Sequence, residues 1–161
     1  MKEHSVLRVV SKLLLPLILL FALYVQFHGD FGPGGGFQAG VIFASGFVLY
    51  ALVFDLDQAR RVVPPWLLRI AVSLGVLLYG GVGVVCMLLG GEYLNYNVLA
   101  HQPSHGQHLG ILLVELGVGI TVAAVMITIF FTFASRGRPE RAVIPTTLSP
   151  TTSKPTNTQK G

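Results

Sequence analysis

Apolar positions along this chain are gathered into long blocks. No Asp, Glu, Lys or Arg interrupts residues 13–29, 31–54 or 70–91, and Glu115 alone interrupts residues 93–135. Each block approaches or exceeds the roughly 20 residues that cross about 30 Å of hydrocarbon as a helix. The pattern predicts an all-α polytopic membrane protein with four transmembrane helices, at about residues 6–27, 35–54, 66–89 and 108–133. These helices form one transmembrane domain over residues 1–135. Residues 136–161 end in "PTTLSPTTSKPTNTQKG", poor in apolar side chains and rich in Thr and Pro. Such a composition does not repay the entropy of folding, so a disordered tail is expected there.

Composition agrees with a bilayer as solvent. Of 161 residues, 52% are hydrophobic and only 11% charged, where a soluble domain carries about a quarter charged residues. Lys2, Arg8 and Lys12 precede the first apolar run in the manner of a secretory signal. That run is long, however, and continues through Tyr24, Gln26 and Phe27 into a Gly-rich stretch, so it is read as a retained helix. The one cysteine, Cys86, rules out an intrachain disulfide or a cysteine metal cluster and reads as a small apolar filler.

Charge placement orients the spans. Four crossings put both termini and the connection between the second and third helices on one side. All eleven basic residues fall on that side: Lys2, Arg8, Lys12, Arg60, Arg61, Arg69, Arg136, Arg138, Arg141, Lys154 and Lys160. Residues 28–35 and 90–108 contain none. The positive-inside bias therefore predicts cytoplasmic termini and an outward-facing connection at 28–35. The high pI, about 9.5, is explained by basic groups flanking apolar spans, where they meet anionic lipid headgroups. It does not point to nucleic acid.

Local signals refine the spans. Lys12 can extend its stem to the interface, and Pro16 is tolerated with a kink. "DLDQARR" stops the second span, "VVPPW" makes a stiff entry to the third, and Trp66 suits the headgroup belt. The connection "GGEYLNYNVLAHQPSHGQH" is polar and aromatic by turns, and can hold a short interfacial segment. Its His101, His105 and His108 suggest a metal site or proton relay only if the segment is helical. Pro103 and Gly106 argue against a regular helix, so a loop with hydrogen-bonding imidazoles is expected, and no metal or cofactor.

Small residues repeat on the helices: Gly36, Gly40 and Ala44 on the second, Gly75, Gly80, Gly81 and Gly83 on the third, Gly117, Gly119 and Ala123 on the fourth. They allow close backbone approach and suit a chain packed in a larger assembly. Glu115 is the most informative side chain. With the fourth helix starting near Leu109, it lies about 9 Å below the outer end. An acid at that depth must be protonated, paired or hydrated, so Glu115 is a candidate for proton or monovalent-cation handling, or an acceptor tying helices together. Ser45 and Ser73 lack a nucleophile elbow, and independent enzymatic chemistry is not expected. The stretch "HGDFGPGGGFQAG", residues 28–40, lacks the Lys followed by Ser or Thr of a nucleotide-triphosphate loop. Pro33 limits the turn and the glycines allow unusual backbone geometry, while His28 and Asp30 are candidates for guiding ions.

The segment "FHGDFGPGGGFQAGVIFASGFVLYAL", residues 27–52, closely resembles the hairpin and second helix of the MnhB family, also called MrpB, from the multisubunit monovalent cation/proton antiporters. The family's motif falls on His28, Pro33, Gly34, Gly35, Gly36, Phe37 and Gly40. "VELGVGITVAAVMITIFFTFA", residues 114–134, is also similar, with Glu115 where the family more often has Asp. The resemblance covers about residues 6–134. It implies an accessory or interface subunit of an assembly that exchanges intracellular sodium, or another monovalent cation, for external protons. The partners it implies are large antiporter-like subunits, which carry the proton-pathway lysines and glutamates, and small multi-pass subunits. An MnhB-like subunit of a related membrane hydrogenase or respiratory complex, or a structural membrane adaptor, are the alternatives.

Overall fold

A computed structural model describes residues 3–29, 34–99 and 103–136. Among them are α1 (Glu3–Phe27), α2 (Gly36–Phe54), α3 (Leu56–Val62), α4 (Pro65–Leu88), a 3-10 turn (Tyr96–Leu99) and α5 (Pro103–Arg136). Four of these helices are long and apolar enough to cross a membrane, over Val6–Phe27, Gly36–Phe54, Pro65–Leu88 and His105–Arg136. The tail expected to be disordered, beyond Arg136, lies outside the described residues, as do Asp30, Pro33 and His101.

The spatial order is not the chain order. α1 packs on α2, α2 on α5 and α5 on α4, while α1 and α4 make no comparable contact. The fourth span is therefore held between the second and the third. Two glycines explain this position. Residues 117 and 119 stand about 200° apart around a helix, so they open notches on opposite faces of α5. A Cβ built on Gly117 would stand 2.9 Å from the Gly75 carbonyl oxygen, and one on Gly75 would stand 2.7 Å from that of Gly117. On the other face, a Cβ on Gly40 would stand 2.6 Å from the Gly119 carbonyl oxygen. Backbones this close exclude any side chain between them, which is how helices associate where burial from water no longer drives them together.

The connection from α2 to α4 is more structured than a charged stop. Asp55 Oδ1 accepts the Leu56 N–H at 2.8 Å, Asp57 lies in the first turn of α3, and Arg60 and Arg61 in its last. These charges complement the helix dipole at both ends. Leu56 and Ala59 are buried with Val63, Leu68, Ala124, Ile127 and Phe131 in the core at this end, termed the arginine end.

At the opposite, hairpin end, the expectation of an irregular histidine loop is corrected. Pro103 opens α5 at a first position, where proline's fixed φ and missing N–H are favourable. His105 and His108 are consequently helical and exposed. The preceding connection folds back on the helices: a Cβ on Gly83 would collide with the Tyr93 ring and one on Gly110 with the Tyr96 ring. Gln107 Nε2 donates to Asn97 Oδ1 at 3.0 Å. Burial, with Tyr79, Cys86 and Tyr93 nearby, pushes the Tyr96 phenol above its ordinary value, so it remains neutral.

Candidate functional site

The two features singled out separately in the sequence, the Gly-rich hairpin and Glu115, meet in space. A Cβ built on Gly29 would stand 2.6 and 2.8 Å from the two Glu115 carboxyl oxygens, and one on Gly35 would stand 3.3 Å from Oε1. A Cβ on Gly36 would overlap the Glu115 carbonyl oxygen. The hairpin glycines thus leave room for a carboxyl group and for the helix that carries it. Gly35 has φ 148° and ψ 177°, a conformation essentially reserved for glycine. Gly34 approaches α1, its Cβ position 3.3 Å from Val25 Cγ1.

Two surroundings act on the acid. The carboxyl lies beside the N-cap of α2, where backbone N–H groups of the first turn lack intrahelical acceptors and carry partial positive charge. It is also half-buried, so a charge held there needs such donors or a cation beside it. Glu115 sits twelve residues inside α5, about 18 Å along its axis, deeper than the 9 Å expected from a later helix start. Its membrane level is nonetheless near an edge, because α2 begins beside it and α1 ends at Phe27. The extra turns of α5 run past the ends of α1 and α2.

The other sequence candidates divide. His28 is exposed and its ring stacks on Tyr24 with centroids 4.9 Å apart; its chain neighbour Gly29 abuts the Glu115 carboxyl. Phe37 is 64% exposed at the start of α2 and does not close the hairpin. Gly40, Gly75, Gly83, Gly117 and Gly119 make close approaches and Ala44 lies in the core. Gly80 is different: nothing lies within 4 Å of a Cβ built there, and the same holds for Gly81. Among the described residues these two serve no packing contact. Among the described residues, no three His, Cys, Asp or Glu side chains gather as metal ligands.

Sequence reasoning passed over Gln26. It is 8% exposed, and a Cβ on Gly119 would collide with its Oε1, so it wedges a polar amide between α1 and α5 on the membrane side of Glu115. A polar residue one place before Phe27 in an apolar run was the available signal.

Residues 6–128 match the family described as "Domain related to MnhB subunit of Na+/H+ antiporter". The chain belongs to the MnhB family. The match takes in all of α2 to α4 and most of α1 and α5, and so includes the hairpin glycines and Glu115. Relatives include two proteins named "Putative antiporter subunit mnhB2", from Staphylococcus aureus strains Newman and JH1. Each is 36% identical over 138 residues, covering 83% of this chain and 97% of the relative. The region shared with this MnhB-family chain spans nearly the whole of those relatives.

Proposed function

We propose that this chain is an accessory or interface subunit of a multisubunit secondary antiporter. The assembly exchanges intracellular sodium, or another monovalent cation, for external protons, driven by the proton-motive force across a prokaryotic cell membrane. Family membership supports the assignment, and the observation that carries the chain's own part in it is the Glu115 carboxyl enclosed by Gly29 and Gly35. With the termini cytoplasmic, as the basic residues favour, this acid sits at the outer edge of the membrane. There it offers a proton or a desolvated cation one negative site between solution and the interior of the assembly. The chain itself performs no bond-making chemistry; large antiporter-like subunits and small multi-pass subunits supply the rest of the path.

The test is Glu115→Gln in the complete complex, with assembly checked by co-purification and exchange followed as sodium-dependent proton movement in everted membrane vesicles. Exchange is expected to fall at least about tenfold, a loss of about 1.4 kcal/mol in transition-state stabilisation, with the complex intact. Unchanged exchange in an intact complex would remove the carboxylate from the ion route and favour the structural adaptor. Co-purification with a hydrogenase catalytic subunit would move the chain to the related respiratory assembly.

A further inference from the structure

Because α1 and α4 do not meet, an open cleft of about 340 Å³ runs between them over α2 and α5. Its walls are apolar and include Leu23, Phe43, Leu67, Ala71 and Ile120. On α5 the cleft extends from Leu116 to Ile127, about 16 Å of helix axis. A hydrocarbon chain is about 4–5 Å wide, set by carbon contact distances near 4 Å, and asks no hydrogen bonds of its walls, so an elongated apolar slot of this length suits it.

The arginine-end mouth of the cleft carries a second, independent feature. Val63 lines the cleft and Arg60 is one turn before it on α3. The Arg60 Nη2 donates to the Phe131 carbonyl oxygen at 3.3 Å, one turn beyond Ile127, and its Cζ lies 5.9 Å from the Phe131 ring centroid. Its Nε is buried and has no hydrogen-bond partner among the described residues. A guanidinium tethered by one weak neutral bond has donors to spare for an anion, and phosphate geometry suits it. Across this end Arg8, Lys12, Arg60, Arg61, Arg69 and Arg136 outnumber Glu3, Asp55 and Asp57, so the surrounding potential is positive.

We infer that the cleft binds one acyl chain of an anionic phospholipid from the leaflet at the arginine end, with its phosphate at Arg60. The lipid fills the gap between α1 and α4 and completes the packing of a helix layer that its own side chains leave open.

The test uses the tagged full chain, with whatever assembly it brings, purified in mild detergent. Phosphatidylglycerol and phosphatidylcholine are added in equal amounts and retained lipid is read by native mass spectrometry. Phosphatidylglycerol is expected to be retained at least tenfold over phosphatidylcholine. Arg60→Gln and Ala71→Phe are each expected to lower that retention about tenfold, whereas Arg61→Gln, an exposed neighbour, changes it less than twofold. A phosphatidylglycerol carrying a photoreactive acyl chain, used on the unmutated protein, is expected to label peptides that contain cleft-lining residues. Equal retention of both lipids, equal loss from Arg61→Gln, or labelling elsewhere on the chain overturns the site. So does a photoreactive side chain at position 71 that captures a partner helix in place of lipid.

Discussion

At the scale of single residues, Gly29 and Gly36 meet different parts of Glu115, one its side chain and the other its backbone. The atoms that a Gly29 side chain would meet are the far end of the Glu115 side chain, a flexible group rather than backbone, so Gly29→Ala should cost little stability. It should still move the carboxyl out of its recess toward a different balance of solvent and α2 N–H groups. The expected outcome is a changed pH dependence of exchange, with the thermal midpoint of the purified complex within a few degrees of wild type. If the pH profile and rate stay the same while the carboxyl is displaced, the recess has no part in ion handling. Gly36→Ala makes the opposite demand. Its Cβ would overlap backbone at Glu115, which cannot rotate away, so α2 and α5 must separate. Overpacking of this kind costs about 1–3 kcal/mol, and loss of assembly is the expected readout.

At the scale of elements, glycine notches decide which helix neighbours which, and this can be tested by a pair of substitutions. Gly40→Ala would put its Cβ 2.6 Å from a carbonyl oxygen and 3.0 Å from Val122 Cβ, and it should lower the thermal midpoint in detergent by several degrees. Gly80→Ala meets open space and adds helix propensity worth up to about 1 kcal/mol, so within the isolated chain it should be neutral or stabilising. The four spans were legible in the sequence because uninterrupted apolar runs leave a helix little alternative in lipid. The small-residue spacing showed which helices can be approached closely, but neither their pairing nor that Gly80 differs from Gly83, which depends on where the Tyr93 loop folds back. α3 was hidden because Asp55, Asp57, Arg60 and Arg61 read equally as a charged stop and as a dipole-matched helix; the alternation of Leu56 and Ala59 with them settles it only once a core exists to receive them. The start of α5 was misplaced for a similar reason. Pro103 breaks a helix in the middle and favours one at its first position, and spacing alone does not choose. Glu115 and the hairpin were each visible, but about 80 residues separate them, and only the α2–α5 pairing brings them together.

At the scale of the whole molecule, the helices share their burial unequally, and this bears on how the chain exists in the membrane. In the most apolar 18-residue stretch of α1 only 11% of residues are buried, against 33% in that of α5. Large apolar side chains on α1 such as Val6, Leu13 and Leu20 are at least 66% exposed, as are Leu77 and Leu88 on α4. Lipid can cover such faces, so apolar exposure by itself does not call for a protein partner. Gly80 and Gly81 add something lipid does not use: bare backbone on a helix face, which in a bilayer favours close approach by another helix. The structure therefore separates two kinds of unpaired surface, the narrow cleft between α1 and α4 and the glycine face of α4. Purification of the tagged chain in mild detergent, followed by identification of everything retained, should recover other integral membrane subunits. Gly80→Leu should then strip the partner that packs on α4 while leaving the fold of this chain intact, as read by an unchanged helix content and monomer size. Recovery of a stable lone monomer from the native membrane, or an unaltered complex with Gly80→Leu, would sink the α4 interface. A complex that loses one subunit and keeps the others would locate that subunit on α4.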